Sequence, residues 1–168
     1  MFSAIFVGMA LMPTVAVMAI FDGEEAAVIK PVSEENKKEW AELAVALWPD
    51  SGISEALQEL ADSKHQDEFL YYANEQAVAL MSLSLRHDYV EGTESSPVGY
   101  LEGIYVKPEH RKKGIAKELV QFAKEWSKNH GCAELASDCE LENEESRIFH
   151  EQIGFTEASR IICFTMSL

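Results

Sequence analysis

The sequence predicts an α/β domain built on a mixed sheet, and three observations carry that prediction. The run from Val98 to Val106 reads as a buried strand that passes through a basic, glycine-bearing turn into an amphipathic helix from about Gly114 to Asn129. A short strand from Ala133 to Ser137 follows, so strand, helix and strand form a parallel crossover. Upstream, Ala77, Ala79, Met81, Leu83 and Leu85 alternate with their neighbours, which gives a hairpin with one buried face and makes the rest of the sheet mostly antiparallel.

The remaining elements follow in order. Val28 to Pro31 is a short first strand, and Ser33 with two glutamates supplies a cap and acidic first turn for a helix ending near Leu47. Trp40, Leu43, Ala44 and Leu47 have helical spacing and should face the core. Pro49 and Gly52 break that helix, and a second starts at Ser54 and runs through Leu57, Leu60 and Ala61. Phe69 to Ala73 is the first hairpin strand, with its turn at Asn74 and Glu75. Beyond Gly131, which stops the crossover helix, a helix from Asn143 to Ile153 and a closing strand pair within residues 156–168 complete the domain.

A chain of 168 residues with 47% apolar and 26% charged side chains supports one domain with a full-sized core. Asp and Glu outnumber Lys and Arg by 29 to 14, which argues against a nucleic-acid partner and is compatible either with a cationic substrate or with plain solubility. Cys132, Cys139 and Cys163 are odd in number and lack metal-ligand spacing, which suits a reducing compartment, and the five histidines are scattered, so no metal is expected. Residues 1–21 carry no charged side chain. They are long enough for one membrane span, but no Lys or Arg precedes them and Pro13 would interrupt a helix, so a non-native or extended start ranks ahead of a membrane anchor or a cleaved signal. The expected organisation is an apolar extension over residues 1–27 and a single domain over residues 28–168.

The chemistry concentrates at the basic turn. Lys107, Arg111, Lys112, Lys113 and Lys117 are opposed there only by Glu109, at a point where free amides and the macrodipole of a helix N-terminus favour an anion. Gly114 removes a Cβ and Ala116 keeps the next inward position small, so a pyrophosphate can rest on main-chain N–H groups. A solvated helix start with lysines for solubility would look the same.

The spacing Arg111-x-x-Gly114-x-Ala116 after a strand resembles the acetyl-CoA signature of the GNAT superfamily of N-acetyltransferases. Trp48, the polar segment from Tyr89 to Pro97 with its sequel to Val106, the triplet Ala136, Ser137, Asp138, and Asn143 are together similar to the aminoglycoside 6′-N-acetyltransferases within it. The resemblance implies the GNAT fold, with a splayed parallel strand pair, acetyl-CoA as cosubstrate, a cytoplasmic location and a homodimer. It implies that main-chain groups of Ile104, Tyr105 and Val106 pair with pantetheine, that Arg111, Lys112, Lys113, Gly114, Ile115, Ala116 and Lys117 hold the pyrophosphate, and that Asn143 contacts the cofactor. Trp48, Tyr89, Glu102 and Asp138 are the implied substrate residues.

Those positions suit a polyamine-like sugar on physical grounds, because several ammonium groups require spaced carboxylates and aromatic faces. Glu102 lies in an apolar strand where a carboxylate is costly without a cation, although a strand-edge residue facing solvent would also explain it. Asp138 lies past the end of a parallel strand, where it either accepts the ammonium proton or serves as a turn cap. Relatives that place a tyrosine acid four residues before Gly154 and Phe155 have His150 here, read as a helix-face histidine, and Ser159 stands where an acidic substrate contact occurs in the branch. Two alternatives remain open at this point: an acetyltransferase of a polyamine or other small cationic amine, and a non-catalytic acyl-CoA-binding module.

Overall fold

The computed structural model describes residues 18–22, 25–63 and 65–168. A six-stranded sheet runs in chain order, β1 (Met18–Asp22), β2 (Glu25–Pro31), β3 (Gln66–Ala73), β4 (Gln76–Arg86), β5 (Val98–Val106) and β6 (Leu135–Ser137). Every neighbouring pair is antiparallel except β5 with β6, which is parallel over Gly99–Leu101 and Leu135–Ser137. Two helices, α1 (Lys37–Leu47) and α2 (Ile53–Asp62), follow β2, while α3 (Ile115–Asn129) links β5 to β6 and α4 (Glu144–Gln152) follows β6.

The sequence places α1 correctly but not its cap. The Ser33 carbonyl accepts the Lys37 amide and the Ser33 amide donates to Asn36 Oδ1 at 2.6 Å, while Asn36 itself stands at the N-cap. The Asn74–Glu75 turn forms as expected, with both residues at positive φ, +50° and +64°, the geometry that a two-residue hairpin turn demands.

The expectation of one buried face for the β3–β4 hairpin is corrected. Helix α3 packs Leu119, Ala123 and Trp126 against Phe69, Met81 and Leu83, while α1 packs Trp40, Leu43 and Ala44 against Leu70, Tyr72 and Leu80 on the opposite face. A central strand covered on both sides has no solvent face, which is why the residues between the alternating apolar set, Val78, Leu80, Ser82 and Ser84, are buried as well.

Two segments depart from expectation. Residues 18–22, which run from the end of the charge-free start into Asp22, form an edge strand in register Met18 with Ile29; the rest of the anchor and leader readings, over residues 1–17, lies outside the described residues. No described helix is long and apolar enough to cross a membrane. The closing strand pair in residues 156–168 does not form: Ile161, Ile162, Phe164, Met166 and Leu168 all stand exposed. A strand needs a ladder partner, and β6 offers only three residues on that side of the sheet.

Candidate active site

The parallel pair separates early. β5 is paired with β6 only as far as Leu101, so from Glu102 to Val106 the edge of β5 that faces β6 carries no strand partner among the described residues. On its other edge β5 is bulged against β4: Ser82 faces Gly103 and Leu83 faces Leu101, which leaves Glu102 as the extra residue. The bulge turns Glu102 onto the α1 face of the sheet, where Ser84, Arg86 and Tyr100 also lie.

The structure gives Glu102 a cation of its own. Arg86 Nη2 approaches the two carboxylate oxygens at 3.0 and 2.8 Å, Arg86 Nε lies 3.2 Å from Oε1, and Ser84 Oγ donates to the same oxygen at 2.5 Å. The guanidinium in turn stacks on the Tyr100 ring, 3.2 Å from its centroid, and the Tyr100 hydroxyl donates to Asp138 Oδ1 at 2.5 Å. Burial, and then the hydrogen bond to Asp138, hold the Tyr100 hydroxyl well above the ordinary phenol range, so it stays a donor. Asp138 and Glu102, far apart in sequence, are therefore the two ends of one chain through Tyr100 and Arg86, and Asp138 Oδ2 has no hydrogen-bond partner among the described residues. Sequence reasoning missed Arg86 and Tyr100. The signal was present in the alternation Ser82, Ser84, Arg86, three polar side chains on one face of an otherwise apolar strand.

Trp48 stands at the C-terminal end of α1, 40% exposed, directly over Gly103. A Cβ at Gly103 would come within 2.7 Å of the indole, so glycine at this position lets the ring lie on the strand. Tyr89 is not brought into the cluster. It is 80% exposed on the 87–97 loop and donates to Glu91 at 2.8 Å. The loop itself is held by Glu134, whose Oε2 accepts the amides of Glu94 and Ser95 at 3.0 and 2.8 Å and the Ser95 hydroxyl at 2.5 Å. These three donors, the hydroxyl first, hold the Glu134 carboxyl below its usual range.

The basic turn is built as the sequence suggests. A 3₁₀ turn, Pro108–His110, follows β5, and Lys112 and Gly114 both adopt positive φ, +61° and +90°, before α3 opens at Ile115. No side chain caps α3, so the first-turn N–H groups of Ile115, Ala116 and Lys117 keep their outward donors. Arg111 Nε donates to the Val106 carbonyl at 3.0 Å, tying the turn to the end of the open β5 edge. Asn143 caps α4 through Oδ1, which accepts the Ser146 amide at 3.0 Å.

His150 is more than a helix-face residue. Its Nε2 lies 2.9 Å from Ser137 Oγ on β6, Nδ1 lies 2.7 Å from the Ser146 carbonyl, and the Ser137 hydroxyl donates to the Leu101 carbonyl where β5 and β6 part.

An unpaired strand edge running into an uncapped, basic helix start is the frame of an acyl-CoA site, and the comparisons agree. The model of the acetyltransferase (GNAT) family matches residues 33–155. The chain belongs to that family. Aminoglycoside N(6′)-acetyltransferase type 1 of Acinetobacter haemolyticus is 42% identical over 142 residues, 83% of this chain and 98% of the relative, and the enzyme of that name from Stenotrophomonas maltophilia is 38% identical over 145 residues, 85% and 95% of the two chains. Among solved structures, the aminoglycoside 6′-N-acetyltransferase AAC(6′)-Ih of Acinetobacter baumannii superposes with a TM-score of 0.80 at 40% identity, covering 84% of this chain and 99% of that one. AAC(6′)-Iy in complex with the bisubstrate analogue CoA-S-monomethyl-acetylneamine gives 0.77 at 34% identity, with coverage of 84% and 99%. This GNAT domain thus shares its fold with relatives solved with CoA bound, and acetyl-CoA is its cosubstrate.

Proposed function

We propose that this GNAT enzyme transfers acetyl from acetyl-CoA to the 6′-amino group of aminoglycosides by direct attack in a ternary complex, and so confers resistance. The observation that carries this reading is the chain of contacts from Asp138 through the Tyr100 hydroxyl and the stacked Arg86 guanidinium to Glu102, set at the mouth of the β5–β6 splay. It is supported by relatives of that name at 36–42% identity over most of the chain.

In this account the pantetheine arm lies along the main chain of Ile104, Tyr105 and Val106, adding the strand that β6 does not supply. The pyrophosphate rests on the loop and first turn from Arg111 to Lys117, and Asn143 meets the cofactor from α4. Trp48 and Tyr89 provide aromatic faces for the sugar rings, and Glu102, with its charge shared by Arg86, orients the acceptor. The attacking group must be a neutral amine, because an ammonium has no lone pair. Asp138 accepts its proton through Oδ2 while Tyr100 fixes the other oxygen. The amine nitrogen bonds to the acyl carbon, the carbon–sulfur bond breaks to release the CoA thiolate, a competent leaving group near neutral pH, and the proton shed by the newly acylated nitrogen passes to that thiolate to give the free thiol.

A homodimer belongs to the same proposal. It is supported by the exposed apolar residues of the 160–168 tail, which a second copy would cover. Cytoplasmic residence follows from where acetyl-CoA is supplied.

The test is CoA-thiol release with kanamycin and with spermidine side by side. The expected result is rapid release with kanamycin and little with spermidine. Preference for spermidine would reassign the acceptor to polyamines, and tight CoA binding without release over both amines would replace the enzyme by a binding module.

A further inference from the structure

Glu68 is a buried carboxyl that the reaction described above does not use. It is 8% exposed, in β3, and lies in a row that crosses three strands: Glu68 faces Ser82 of β4, and Ser82 faces Gly103 of β5. Ser82 Oγ donates to Glu68 Oε1 at 2.5 Å, and Trp40 Nε1 of α1 donates to Oε2 at 2.8 Å. Both oxygens are thus engaged by different elements. No cation pairs with Glu68 among the described residues, so the contact is a tie between neutral donors and a carboxyl rather than an ion pair.

The row ends under the substrate residues. Gly103, directly opposite Ser82, carries the Trp48 indole, and Glu102 is the residue that the bulge beside Ser82 turns out of register. Trp40 and Trp48 sit at the two ends of the stretch of α1 that spans the row, eight residues apart, or about 12 Å at 1.5 Å per residue. A buried polar tie that is fully satisfied fixes one arrangement of the elements it joins, because any other arrangement strands a buried donor.

We propose that Glu68 is a positioning residue of the acceptor site, which holds α1 and β4 in register through Trp40 and Ser82 and thereby sets the placement of Trp48 and Glu102. The proposal rests on the acetyl-transfer reading for what the acceptor is, but the geometry it describes is independent of it. Gln is a fair replacement: its amide oxygen accepts from Trp40 and its NH2 donates to Ser82 Oγ, so the tie survives without the carboxyl. Ala removes it.

The experiment compares full-length wild type with Glu68→Ala, Glu68→Gln and Ser82→Ala. It measures kcat and KM for kanamycin and for acetyl-CoA, together with acrylamide quenching of tryptophan emission. Trp40 and Trp126 are 4% and 8% exposed, so the quenchable indole is Trp48. For Glu68→Ala we expect a rise of about tenfold in KM for kanamycin, KM for acetyl-CoA within twofold of wild type, and increased quenching; Glu68→Gln should restore both readouts to near wild type. A folded Glu68→Ala enzyme with unchanged kanamycin KM and unchanged quenching overturns the proposal, as does a parallel rise in both KM values, which would mean general loosening. Should Glu68→Ala fail to fold, Ser82→Ala, which cuts one of the two donors, carries the test with an expected rise of at least threefold. If wild type releases no thiol with kanamycin, the acceptor reading fails, and the quenching comparison still decides whether Glu68 holds Trp48.

Discussion

Replacing Glu68 by Gln should stabilise the protein, by an amount that grows as pH rises from 4.5 to about 7 and is full above 7. Burial pushes the Glu68 carboxyl from the ordinary 4.5 up to about 7, against the opposing pull of the hydrogen bonds from Ser82 and Trp40, with smaller upward contributions from Asp67 and Glu102. Below pH 4.5 the group is protonated in the folded and unfolded chains alike and contributes no difference. Between 4.5 and 7 the folded chain keeps a proton that the unfolded chain has lost, so unfolding releases a proton and stability falls as pH rises. Above 7 the full cost of burying the charge is present. At about 1.4 kcal/mol for each pH unit, the displacement is worth roughly 3 kcal/mol. Gln keeps both partners and carries no charge, so Glu68→Gln should match wild type near pH 4 and exceed it by about that amount near pH 8.5. For a chain of this size 1 kcal/mol corresponds to about 2–4 °C in Tm, so the gain should be roughly 6–12 °C. Thermal unfolding followed by circular dichroism at the two pH values measures it. An equal change at both, or none at pH 8.5, would refute the reasoning.

Three further outcomes follow from the site. Asp138→Asn should lower kcat about 10²–10⁴-fold, the range for loss of a general base, while the KM for acetyl-CoA stays near wild type in steady-state assays. Gly103→Ala should displace Trp48, since the new methyl would lie 2.7 Å from the indole, and titration with kanamycin should show weaker binding by several-fold with acetyl-CoA binding retained. Glu134→Ala should free the 87–97 loop, because it removes the one carboxylate oxygen that accepts three hydrogen bonds; limited proteolysis within the loop should become faster, and unchanged cleavage would show that the clasp is not what holds it.

Much of the fold was legible because its signals are local. The Asn74–Glu75 turn, the strand that ends at Val106 and the glycine-bearing start of α3 all announce themselves within a few residues. The features that went unread depend on partners distant in the chain. Whether Ser82 and Ser84 are buried is decided by α1, some forty residues upstream, covering the face that the alternation assigns to solvent. The tail from Ile161 to Leu168 alternates well enough to be a strand, but alternation supplies no ladder partner, and β6 is too short to provide one. At the site, the cofactor turn was readable because its charge and glycine are contiguous. The cation that meets Glu102 was not, because Arg86 reaches it only through the β4–β5 register, and the Glu68 tie joins three elements whose residues lie at 40, 68 and 82.

The central claim is acetyl transfer to a single amine, and one comparison tests it most directly: CoA-thiol release by the purified protein with kanamycin or tobramycin, against a relative of each that carries a hydroxyl in place of the 6′-amine. The account predicts rapid release with the 6′-amines and none above background with the 6′-hydroxyl compounds. Equal release with both would contradict it, since the acetyl group would then be going to a different nitrogen.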